Sequence, residues 1–85
     1  MTVTVLSKPS CVQCNATYRT LDSNGLDYEV TDVSEDPTAY ERAKELGYMQ
    51  APVVIVEDEN GKVTNHWSGF RPDKISELAE LLKAA

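Results

Sequence analysis

"PVVIVEDENGKVTNHW" runs from Pro52 to Trp67, and its reading decides the architecture of this 85-residue chain. Pro52–Glu57 is a continuous β-branched run, the pattern of a central strand covered on both faces. Asn60-Gly61 is the strongest short hairpin signal a sequence offers, because its turn needs residues that tolerate positive φ. Lys62–Trp67 then returns as an antiparallel partner. A chain carrying such a hairpin builds a sheet that is at least partly antiparallel. Glu57-Asp58-Glu59 reads as solvated charge near the hairpin tip.

Upstream, "TVTVLS" (Thr2–Ser7) alternates Thr and Val and predicts a strand. From Cys11 onward, Cys14, Tyr18 and Leu21 fall at i, i+4 and i+7 of one helix face. Gly25 stands where a helix-ending glycine belongs. "DYEVTDV" (Asp27–Val33) alternates again, with Tyr28 and Val30 on one side. Asp36-Pro37 supplies an N-cap and a proline at the first helical position. Tyr40, Ala43 and Leu46–Gly47 complete that helix and its stop. Downstream, Pro72 opens a last helix with Ile75, Leu78, Ala79 and Leu82 on one face. The order is β-α-β-α-β-β-α, and the first β-α-β is a right-handed crossover between parallel strands. The expectation is an α/β thioredoxin fold, one domain over residues 1–85, with three helices flanking a four-stranded mixed sheet.

The chain carries 14 acidic and 8 basic residues, a formal net charge of −6. That argues against nucleic acid, whose binders cluster Lys and Arg against phosphates, and against anionic membrane surfaces. No apolar run approaches the ~20 residues a membrane span needs. "MTVTVLS" has neither the basic start nor the long apolar segment of a signal peptide. The expected location is the cytoplasm, where thiols are kept reduced.

The only two cysteines, Cys11 and Cys14, stand three residues apart in "SKPSCVQCN". A metal site, a structural disulfide and a reversible dithiol compete. A bridge over two intervening residues constrains little of the unfolded chain. A structural zinc site wants four Cys or His ligands, and His66 is the only histidine. A cytosolic Cys-x-x-Cys beside a βαβ pattern reads as a redox pair. Cys11 falls at the strand-to-helix junction, where unpaired N–H groups and the positive end of the helix dipole favour a thiolate. Such places lower a cysteine pKa from about 8.5 into the range of roughly 3.5–7.5. Lys8 adds positive charge ahead of the pair. Cys14, one turn further in, is the less exposed thiol that attacks once Cys11 has formed a mixed disulfide.

Two further segments are candidates. Ala51-Pro52 begins the strand expected beside the first one, across from the cysteines; a cis bond there would expose main-chain groups able to hold a peptide as an added strand. In "HWSGFRPD" (His66–Asp73), Trp67 and Phe70 flank Ser68-Gly69, and the glycine suggests positive φ or a close backbone approach. Arg71 is placed to pair with a local carboxylate or with a partner's acidic tail. His66 reads as an ordinary strand-end residue.

"KPSCVQC", "GYMQAPVV" and "HWSGFRPD" together resemble the NrdH-type redoxins, glutaredoxin-like proteins that behave as thioredoxins. The resemblance covers nearly the whole chain. It implies a small electron carrier between thioredoxin reductase, fed by NADPH, and class Ib ribonucleotide reductase. Carried over by residue, it makes Cys11 the attacking thiolate, Cys14 the resolving thiol and Pro52 the family's cis-proline. Lys8, Val12, Gln13, Ala51 and the segment Trp67, Ser68, Gly69, Phe70 and Arg71 form the surface that meets a partner. The resemblance implies no metal and no cofactor bound to this chain, since FAD and NADPH act through the reductase, and a monomer. Two departures stand out. Leu6 replaces a Tyr that many wider relatives carry, and "EDENGKVTN" is longer than the usual hairpin. Gly69-Phe70-Arg71-Pro72 occupies the place where glutathione-using relatives carry Gly-Gly and acidic residues, leaving Asp73 as one carboxylate. A glutathione-dependent glutaredoxin and a metal- or iron–sulfur-binding module remain the alternatives.

Overall fold

The computed structural model describes residues 1–84, with Ala84 as backbone only. The elements are β1 (Thr2–Ser7), α1 (Val12–Ser23), β2 (Glu29–Asp32), α2 (Pro37–Glu45), β3 (Val53–Glu57), β4 (Val63–Ser68) and α3 (Pro72–Ala84). The sheet order is β2-β1-β3-β4, with β1 parallel to β2 and both other pairings antiparallel. This is the expected thioredoxin fold.

The pleat divides the core in two. Val3, Val5, Val54, Val56 and Trp67 face Leu21 of α1 and Ile75 and Leu78 of α3. Leu6, Val53 and Ile55 face Ala39 and Ala43 of α2. The β3 run is buried at Val53, Val54, Ile55 and Val56 because helices cover both its faces.

Local signals set the helix ends. Asp36 caps α2, its carboxylate accepting the Thr38 and Ala39 N–H groups at 3.0 and 3.2 Å. At the other end the Tyr48 N–H reaches the Ala43 carbonyl at 3.0 Å and the Gly47 N–H reaches that of Lys44 at 2.9 Å. This double bond pattern requires a left-handed residue, and Gly47 supplies it at φ 85°. The stop folds Tyr48 back onto the α2 core.

Four expectations need correction. β2 is four residues long, not seven: as an edge strand it pairs only with Thr4–Ser7 of β1. Val30 is therefore 51% exposed, and Tyr28 precedes the strand, stacking on Tyr18 with centroids 5.8 Å apart. The α1 stripe includes Thr17, fully buried because its hydroxyl donates to the Gln13 carbonyl at 2.8 Å. Leu82 is 41% exposed, one turn beyond Ala79, the last α3 residue of the core cluster. The acidic tip is not simply solvated. Glu57 takes a 2.7 Å bond from Arg42, and the Asp58 carboxylate accepts the Asn60 and Lys62 N–H groups at 2.9 Å each.

Ile55→Ala will destabilise the protein by about 2–5 kcal/mol, because the cavity lies under α2. Val30→Ala on the edge strand will stay within about 0.5 kcal/mol. Urea unfolding of both variants measures the contrast.

Candidate active site

Leu6 pairs with Val53, and Val53 pairs with Ser68. The exit of β1, the entry of β3 and the exit of β4 therefore meet at one end of the sheet. Cys11, Pro52 and Gly69 lie just beyond these three strand ends.

Ser10 turns the chain at φ 56°, an uncommon conformation for a residue with a side chain. Cys11 follows as the N-cap of α1, and its Sγ accepts the Cys14 N–H at 3.1 Å. Sulfur thus stands where a Ser or Asp oxygen usually caps a helix. The backbone N–H and the positive helix end both favour negative charge on that atom. Cys11 and Cys14 are joined as a disulfide, with Cα atoms 5.2 Å apart. Cys11 is 8% exposed and Cys14 1%, so Cys11 is the more accessible sulfur residue.

The Ala51–Pro52 peptide is cis. Pro52 is buried, and its carbonyl accepts the Gly69 N–H at 2.9 Å. The Ser68 hydroxyl donates to the Gln50 carbonyl at 3.1 Å. On the opposite side, the Gln13 side-chain Oε1 accepts the Phe70 N–H at 3.0 Å. Gly69 has φ 81°, and a Cβ there would lie 3.3 Å from that same Oε1. Both readings of this glycine, positive φ and close approach, hold at once.

The remaining candidates divide by exposure. Val12 is 79% exposed and Phe70 37%. Trp67 is only 3% exposed, because its position opposite Val54 turns it into the α1–α3 core. It belongs to that core and is not part of the open surface. Arg71 pairs with a local carboxylate, reaching both oxygens of Asp73 at 3.1 and 2.8 Å. Hydrogen bonding from Arg71 is the main cause holding the Asp73 carboxyl below its ordinary value. Lys8 is exposed and forms no ion pair among the described residues. His66 lies within β4, its Nδ1 2.8 Å from the Tyr48 hydroxyl.

Residue patterns alone do not reveal the groove beside Pro52. It holds about 190 Å³, with Leu6, Tyr40, Tyr48, Met49, Lys8 and Lys44 among its lining residues, and no Asp or Glu among the described residues lines it. Met49 is 84% exposed. The visible signal is an apolar residue stranded directly after the α2 stop, within "GYMQAP".

The glutaredoxin family model matches residues 3–60. The glutaredoxin-like protein NrdH of Escherichia coli is 41% identical over 78 residues, 92% of this chain and 89% of that one. The protein of the same name from Lactococcus lactis is 32% identical over 77 residues, covering 91% and 99%. This chain belongs to the NrdH-type redoxins of the glutaredoxin family. The solved E. coli NrdH-redoxin, a glutaredoxin-like protein with a thioredoxin-like activity profile, superposes on this redoxin with a TM-score of 0.80, covering 92% of this chain and 95% of that one. The redoxin is a thiol-disulfide oxidoreductase.

Two measurements check the geometry. Gly69→Ala forces a left-handed side chain toward Gln13 and will cost about 1–3 kcal/mol in urea unfolding. Because Asp73 titrates lower in the folded than in the unfolded protein, its pair with Arg71 stabilises above the unfolded carboxylate pKa of about 4. That contribution is lost as pH falls through the lower folded value. Asp73→Asn will change the acid limb of the stability–pH curve and leave its slope between about pH 5 and 8 unchanged.

Proposed function

We propose that this redoxin is a cytoplasmic dithiol carrier, acting as a monomer. It takes electrons from NADPH through thioredoxin reductase and delivers them to class Ib ribonucleotide reductase. The observation that carries this reading is the capped Cys11–Cys14 pair beside the Ala51–Pro52 edge, in a chain 41% identical to an NrdH protein.

In the reduced protein the Cys11 thiolate attacks one sulfur of the partner's disulfide. A Cys11–partner disulfide forms, and the partner's other sulfur leaves as a thiolate that takes up a proton. Cys14 gives up its proton and attacks the Cys11 Sγ. The mixed disulfide breaks, releasing the partner's second thiol. Two electrons have then passed to the partner, and the redoxin holds its internal disulfide. The reductase returns two electrons by the same exchange in reverse. FAD and NADPH act there, and this chain's own redox group is its dithiol.

Docking of an extended partner segment falls to Ala51. The Pro52 carbonyl is occupied by Gly69, whereas Ala51 makes no hydrogen bond to another described residue through its N–H or C=O. Exposed Val12, Phe70 and Met49 supply apolar contact. Lys8 and Lys44 rim the groove and complement acidic side chains on the partner. The engagement of Asp73 by Arg71 weighs against glutathione as the reductant, since it removes the one carboxylate left for that ligand's charged end.

A paired turnover assay tests the proposal, with NADPH consumption followed against insulin disulfide. One arm supplies thioredoxin reductase, the other glutathione and glutathione reductase. Turnover in the first arm alone is expected; turnover in the second alone would make the protein a glutathione-linked glutaredoxin. Cys14→Ser will accumulate a mixed disulfide with the partner on a non-reducing gel, and Cys11→Ser will not. Equal trapping by both would overturn the assigned roles.

A further inference from the structure

The Gln13 side chain is exposed and lies between the two cysteines in sequence, yet it bonds a residue 57 positions away. Its Oε1 takes the Phe70 N–H at 3.0 Å, and Gly69, next in line, gives its own N–H to the Pro52 carbonyl at 2.9 Å. The turn after β4 is thereby held from both sides. One bond ties it to the dithiol helix and the other to the start of β3. Gly69 lacks a side chain where Gln13 needs the space, since a Cβ would meet Oε1 at 3.3 Å. No other side chain of the first α1 turn bonds the 68–71 segment among the described residues.

We infer that Gln13 is a positioning residue, a latch that fixes the dithiol relative to the Ala51–Pro52 edge through the Gly69–Phe70 turn, and that it sets preference for protein disulfides over small ones. The inference rests on the oxidoreductase reading above and adds a specific role to Gln13. A protein disulfide must satisfy two requirements together: backbone pairing at the edge, and a sulfur in line with Cys11. Loosening the edge relative to Cys11 penalises that double requirement. A small disulfide with no backbone to pair meets only the second. Gln13 acts through backbone groups and touches no reacting atom.

The test compares Gln13→Met, which keeps length but removes the acceptor, with Gln13→Glu, which restores an acceptor oxygen at neutral pH. The Phe70 amide, followed by hydrogen exchange, will lose protection in Gln13→Met and regain it in Gln13→Glu. In turnover, Gln13→Met will lower the ratio of kcat/KM for insulin to that for a small disulfide by about fivefold, the effect of one net hydrogen bond, with the loss in KM for insulin. Equal protection of the Phe70 amide in all three proteins overturns the latch. A loss equal on both substrates, or absent from both, overturns its role in substrate preference. A wild-type protein that exchanges hydrogen as expected but turns over neither disulfide would overturn the oxidoreductase reading separately, because the amide measurement decides the latch without any substrate.

Discussion

Antiparallel pairing of β1 with β3 is the constraint on which the rest of this structure depends. Because Leu6 stands opposite Val53, the chain leaves β1 where it enters β3. The second antiparallel pairing, Val53 with Ser68, brings the exit of β4 to the same place. Three segments far apart in sequence therefore converge without any long-range side-chain contact having to bring them together. A one-residue slip in either pairing would turn the alternating core residues to the wrong face. The register of the site is consequently protected by the full stability of the core. This explains how an 85-residue chain can hold a three-segment site.

The convergence also explains the unequal treatment of backbone groups there. Buried peptide groups need partners, and Pro52, buried at the start of β3, has its carbonyl bonded by Gly69. Gln50 has its carbonyl bonded by Ser68. Ala51, between them and half-buried, makes no main-chain hydrogen bond among the described residues. Of the main-chain groups at the Ala51–Pro52 bond, the Pro52 carbonyl is already bonded, whereas those of Ala51 are not bonded among the described residues. The cause is the β4–α3 turn, which brings the Gly69 N–H to the Pro52 carbonyl at 2.9 Å.

What could be read in the sequence was local. The Asn60-Gly61 hairpin, the Asp36-Pro37 cap, the Gly47 stop and the β-branched β3 run each carry their signal within a few residues. The Cys11–Cys14 spacing and the need for glycine at position 69 belong to the same class. What escaped depends on distant partners. Gln13 shows no sign in its own neighbourhood of the bond to Phe70. Glu57 looks like tip charge until Arg42 of α2 is brought beside it. Val30 fits an alternating pattern, but only the sheet order reveals that its strand lies at an edge. Trp67 sits in a loop-like motif, and only its register opposite Val54 sends it inward.

The groove follows from the same logic applied to charge. A chain with 14 acidic and 8 basic residues repels acidic partners in general. Yet the groove beside Pro52 has no acidic lining among the described residues and carries two lysines. Lys44 lies 5.6 Å from the centre of the Tyr40 ring, a cation–π contact. Under the proposed function, the contrast between groove and body would act as a filter on partners. Lys44 stands 3.9 Å from the Glu41 carboxylate, well inside the Debye length of about 8 Å at physiological salt, so Lys8, unpaired among the described residues, is the freer of the two charges. Under the proposed function, this groove without an acidic lining among the described residues is the surface beside Pro52 offered to an acidic partner segment. Selectivity of this kind uses the distribution of the charge more than its sum.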